Sequence, residues 1–119
     1  MTPHDFEGHF NYMFRLTRET LCAKAKEYAS DGDRLHNFKV AAALAQTSPV
    51  TALGGMMLKH TVSIYDMLRE ENTDLELWEE KIKDHINYLF LLWALLNETT
   101  DQPEAVQMSF MPTIERSER

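Results

Sequence analysis

Apolar residues recur at three- and four-residue steps over most of this chain, the spacing that puts them on one face of a helix, and no strand-rich region interrupts the pattern. Phe6, Phe10, Met13, Leu16 or Thr17, Leu21, Ala25 and Tyr28 make the first stripe. Thr2 before Pro3 reads as an N-cap and first helical residue, with Asp5 and Glu7 in the turn where acids suit the helix dipole. A first helix is therefore predicted over residues 3–29, stopped by the turn signal Ser30-Asp31-Gly32-Asp33.

Asp33 is placed to cap a shorter helix over 34–46, whose apolar positions are Leu35, Phe38, Ala41, Ala42 and Ala45. Ser48-Pro49 repeats the cap-and-proline logic and opens a third helix over 49–71, with Val50, Leu53, Met56, Met57, Ile64, Met67 and Leu68 inward. Gly54-Gly55 near its start costs about 1 kcal/mol per glycine against alanine, which predicts a close approach there. Asn72-Thr73-Asp74 ends that helix, and Thr73-x-x-Glu76 fits a capping box for a fourth over 75–98.

The fourth helix changes character along its length. Its first half is amphipathic, but residues 88–96 read YLFLLWALL, apolar on every face, so that core or a second subunit should enclose them. Beyond it, residues 100–119 carry two prolines and one apolar cluster, Met108, Phe110, Met111 and Ile114, and are expected as an arm or an unstructured tail. The expected fold is all-α, one four-helix bundle over residues 1–99, completed by homo-oligomerisation because a 119-residue domain buries only about two thirds of its surface.

Composition narrows the functions. With 44% hydrophobic and 26% charged residues the chain is ordinary globular protein. Its net charge of -7 and scattered basic residues argue against direct nucleic-acid binding, which needs clustered Lys and Arg. The acidic surface leaves room for mimicking DNA or pairing with a basic protein. A single cysteine, Cys22, excludes an internal disulfide and a multi-cysteine zinc site, and is expected as a small buried hydrophobe. The start lacks a basic and apolar leader and no apolar run reaches about 18 residues, so a cytoplasmic protein without a membrane span is expected.

Three groups of polar residues fall where they could carry chemistry. The first is the border of the first turn, Lys26, Tyr28, Asp33, Asn37 and Phe38, able to hold a base or sugar or simply to cap a solvated turn. On the third helix Lys59, Ser63 and Asp66 share a face, where a lysine could meet phosphate oxygens or a buried carboxylate. His60 beside them reads as a packed core histidine. The third group is Glu80, Asp84, Asn87 and Tyr88. Glu80 and Asp84, one turn apart, could share Mg²⁺ or equally belong to a surface ion-pair face with Lys81 and Lys83.

Along the chain they fall in short motifs, Lys26-x-Tyr28, Asp33-Arg34, Asn37-Phe38, Lys59-His60 and Asp84-x-x-x-Tyr88, spread over roughly residues 24–98. The set resembles a family of small phage and prophage proteins similar to nucleotide-modification-associated domains and, more remotely, to the MazG-like all-α nucleotide pyrophosphohydrolases. The resemblance implies a phage-encoded nucleotide-binding protein in the host cytoplasm, with Lys26, Tyr28, Asp33, Asn37, Phe38, Lys59 and Ser63 around the nucleotide. It also implies Mg²⁺ held by Asp84 with Glu80 or Asp66, and hydrolysis of a standard or modified nucleoside triphosphate to monophosphate and pyrophosphate by a metal-activated water.

The match to the enzyme motif is partial. Lys81 stands where the second motif has a glutamate, and Lys59 and Ser63 stand where the first has acids. The other expectation is therefore a non-enzymatic accessory or counter-defence protein that binds a host protein or a signalling nucleotide.

Overall fold

The computed structural model describes residues 1–23 and 32–100, the side chains of 99 and 100 excepted. Four helices account for nearly all of them: α1 Pro3–Ala23, α2 His36–Ala45, α3 Pro49–Arg69 and α4 Leu75–Thr100. The chain is all-α, as its periodicity predicts. The predicted end of the first helix, residues 24–29, and the tail 101–119 lie outside the described residues.

Local chemistry explains the boundaries. Thr2 Oγ1 accepts from the Asp5 N–H at 3.0 Å, and Ser48 Oγ accepts from the Thr51 N–H at 3.1 Å with Pro49 as first helical residue, so both predicted N-caps are present. At α4 the prediction needs correction. Asp74, not Thr73, is the cap: its Oδ1 accepts from the N–H groups of Glu76 at 3.1 Å and Leu77 at 3.2 Å. It immediately precedes the first helical residue, within reach of two unpaired donors.

Asp33 also differs from its predicted role. Leu35 occupies the N-cap position of α2 without a side-chain bond, and Asp33 acts one turn earlier, its Oδ1 accepting from the Leu35 N–H at 3.0 Å. Two helix ends use left-handed residues that are not glycine, Gln46 at φ 57° and Glu71 at φ 53°. After each, the chain closes a six-residue loop of Schellman type, Thr47 N–H to Ala42 O at 2.9 Å and Asn72 N–H to Met67 O at 3.0 Å.

The core lies between α2, α3 and α4. Leu35, Phe38, Val50, Leu53 and Leu95 form its buried cluster, with Met56, Met57, Leu91, Leu92 and Leu96 packed around it. α3 and α4 run antiparallel: Leu53 and Leu95 share the cluster, while farther down Thr61 Oγ1 and His85 Nε2 lie 2.8 Å apart. α1 packs chiefly on α4 and runs in the same direction, since Tyr12 donates to Glu79 Oε1 at 2.7 Å and, farther along both helices, Leu21 lines the same cavity as Asn87 and Leu91.

Three packing expectations change. Gly54 and Gly55 face open space, with nothing within 4 Å of an added Cβ, so no close approach explains them. Cys22 is exposed, not buried, at the rim of an open groove that it shares with Leu21 and Phe90. On α1 the only buried residue is polar Thr17, while Phe6 and Phe10 of the predicted inward stripe are 63% and 57% exposed. Among the described residues α1 has α4 beneath it and little else, so its early turns meet no second surface there.

The all-apolar segment divides likewise. Leu95 is fully buried and Tyr88, Leu91, Leu92 and Leu96 line the core, but Leu89, Phe90 and Trp93 stand open on the single chain. Among the described residues no helix is long and apolar enough to cross a membrane.

Candidate functional site

A cavity of about 360 Å³ opens between α1, the start of α2, α3 and α4. Each helix delivers residues at helical spacing. α4 presents Asp84, Asn87, Tyr88 and Leu91, which step by three, one and three along one face. α3 contributes Met56 and His60, one turn apart, and α1 closes the side with Thr20 and Leu21. Arg34, Asn37 and Phe38 come from the turn into α2 and its first turn.

The wall is aromatic in one half and polar in the other. The His60 ring lies tilted at 4.8 Å from Tyr88, and Phe38 meets Tyr88 edge-on at 6.5 Å. Burial holds the His60 imidazole below its usual proton affinity, and the nearby Asp84 carboxylate only partly offsets this. His60 is therefore uncharged at neutral pH.

The polar half is under-satisfied. Asn87 is 8% exposed, and its Oδ1 has no hydrogen-bond partner among the described residues. A buried acceptor left unpaired costs about 1–3 kcal/mol, so such groups concentrate where a ligand or an ordered water is meant to sit. One turn earlier, Asp84 makes no ion pair or hydrogen bond among the described residues, although it is half-buried. The cavity thus offers the oxygen acceptors of two residues, Asp84 and Asn87, on one helix face, with a guanidinium and an amide also on its lining.

The predicted site residues divide. Asn37, Phe38 and Asp84 meet at the cavity. Asp33 is drawn elsewhere: its Oδ2 takes Lys39 Nζ at 2.7 Å, and Lys39 also reaches Glu98 Oε1 at 2.9 Å, a bridge that ties α2 to the end of α4. The lysine hydrogen bond, with help from the Leu35 N–H, pulls the Asp33 carboxyl below its ordinary range, and the two carboxylates hold the Lys39 ammonium above its own.

Lys59 is exposed and Ser63 half-buried, and neither lines the cavity; Lys59 makes no ion pair with Asp84. Lys26 and Tyr28 lie outside the described residues. The three carboxylates expected around Mg²⁺ do not converge. Asp66 pairs with Arg69, Glu80 is exposed, and Asp84 alone lines the cavity. Among the described residues no group of three His, Cys, Asp or Glu side chains could hold a metal ion, and Mg²⁺ wants several oxygens in near-octahedral array. The described side chains therefore do not fit a Mg²⁺ site.

Arg34 and His60 belong to the site but not to the residues singled out for binding. Each sits beside one that was marked or weighed, Asp33 and Lys59, and only the packing of α2 on α3 shows which neighbour turns inward. Asn87 carried the better signal, an amide three residues after Asp84 where the helix is becoming wholly apolar. No protein-family model, curated protein or solved structure matches the chain, so the cavity itself carries the functional reading.

Proposed function

We propose that the chain is a nucleotide-binding protein that takes the base into the cavity beside His60, Phe38 and Tyr88 and turns the phosphates towards Arg34 at the turn before α2. The observation that carries this is the pairing of an aromatic wall with the unsatisfied Asn87 acceptor in one cavity. A flat heteroaromatic ring with polar edges answers both halves, whereas an aliphatic ligand would leave the amide unpaired. The volume of about 360 Å³ lies within the range of small-molecule sites. The resemblance to nucleotide-handling phage proteins points the same way.

Binding, not hydrolysis, is the reading, because Asp84 is the one carboxylate described at the cavity. The test is thermal shift and calorimetry with standard and modified deoxynucleoside triphosphates, with and without Mg²⁺, monitoring pyrophosphate release. Saturable binding without turnover is the expected result. No shift with any nucleotide removes the proposal, and metal-dependent pyrophosphate release would restore the hydrolase expectation.

A second reading, association with another protein chain, draws on the open aromatic surface. Phe10 and Phe14 stack at 6.0 Å on α1, Phe14 and Phe90 border one apolar groove, and Trp93 is 66% exposed one turn beyond. Apolar surface of this kind favours a second copy or a host protein. A strictly monomeric full chain at high micromolar concentration that captures no host protein would dismiss it.

A further inference from the structure

The arrangement of donors and acceptors around the cavity carries a statement about which base it takes. Asp84 and Asn87 lie three residues apart on α4 and line the same wall. An ionised carboxylate accepts only, through two oxygens, and the Asn87 Oδ1 is an acceptor without a donor. That wall therefore needs a ligand edge rich in N–H groups. The turn into α2 supplies the opposite polarity: Arg34 donates only, and Asn37 can donate.

The bases differ on this point. Guanine carries two neighbouring donors, N1–H and the N2 amine, on one edge, and two acceptors, O6 and N7, on the adjoining one. Adenine offers one donor group beside acceptors. Cytosine offers one, and thymine and uracil place a single N–H between two carbonyls. Only guanine matches a carboxylate bidentately and still leaves an acceptor for the Asn37 amide.

Resting on the nucleotide-binding reading above, we infer that the cavity selects guanine, with the Asp84 carboxylate accepting from N1–H and the N2 amine and the Asn37 amide donating to O6. Asn87 borders the same wall and accepts from the N2 amine or from a water that the base retains. His60 and Tyr88 pack against the ring. The uncharged state of His60 fits this place, because a cation there would compete with the base for Asp84.

The test is calorimetric titration of the full chain, in chelator so that no turnover intervenes, with the triphosphates of deoxyguanosine, deoxyinosine, deoxyadenosine, deoxycytidine and thymidine. Deoxyinosine is guanine without the N2 amine. The expected result is guanine tightest and hypoxanthine weaker by about tenfold or more, the discrimination typical of a bidentate pair. Asp84→Asn, which exchanges one acceptor oxygen for a donor, should bring the guanine-to-hypoxanthine ratio to within about twofold.

Equal or tighter binding of adenine or a pyrimidine overturns the inference while the nucleotide-binding reading stands. So does an Asp84→Asn chain that keeps the preference. Failure of every nucleotide to bind removes the reading itself. Should Asp84→Asn fail to fold, the comparison of guanine with hypoxanthine on the parent chain decides the question alone.

Discussion

Replacing Asn87 with leucine separates the cost of the cavity from its use. Asn87 is 8% exposed with an unpaired Oδ1, and the free protein carries that unsatisfied acceptor in its native state. Removing it recovers about 1–3 kcal/mol, while the larger leucine side chain extends towards the cavity rather than into packed core, so overpacking stays small. A net gain of about 1–2 kcal/mol is expected, which for a chain of this length raises the melting temperature by about 4–8 °C.

Calorimetric melting and urea titration of parent and Asn87→Leu give the stability change, and both are repeated with a saturating nucleotide. The parent should gain stability from ligand and the variant should not, because the leucine occupies ligand space and offers no acceptor. A variant less stable than its parent would show that the Asn87 oxygen already has a partner. One that binds nucleotide with undiminished affinity would show that Asn87 does not face the ligand.

The other predictions test the frame around the site. Leu53→Ala, at a fully buried position, should cost about 2–5 kcal/mol by chemical denaturation, a large part of the total for so small a domain. Asp74→Ala should cost about 1 kcal/mol through loss of the α4 cap, and Thr73→Ala close to nothing; the reverse order would reinstate the capping box. Glu71→Gly relieves a left-handed residue and should stabilise by about 0.5–1 kcal/mol, read as an increased urea midpoint with unchanged slope.

His60 has a native proton affinity below its usual value, so below about pH 6.5 the unfolded chain binds a proton that the native state refuses. Stability from this group is full above that pH and falls as the solution is acidified towards the native value. The fall between pH 7.5 and 5.5 should be smaller in His60→Gln, and an identical fall in both chains would contradict the assignment.

The sequence by itself determined the helices. Among the described residues their number, type and most of their ends follow from local chemistry: a three-to-four-residue apolar step, Thr2-Pro3 and Ser48-Pro49 at two starts, and polar runs between elements. Local rules competed at the ends that were misplaced. Thr73 and Asp74 are both good caps, and only the register of α4 chooses Asp74; Gln46 and Glu71 end helices in a conformation that usually announces itself by glycine.

Half of the candidate site was legible for a similar reason. Asn37, Phe38 and Asp84 stood out as polar or aromatic residues at the edge of apolar stripes, and these reach the cavity. A helix stripe says that a face is covered, not by what. Thus Asp33 reads as a ligand residue until Lys39, itself shared with Glu98, claims it, and Lys59 reads as inward until α3 packs with His60 turned to Tyr88. The phenylalanines of α1 follow the same logic: their spacing demands a partner surface, and only the tertiary structure, by laying α1 chiefly along α4, decided that the described residues do not provide it. Periodicity is a property of one helix, but convergence of side chains around a cavity is a property of how four of them cross, and no local interaction encodes that crossing.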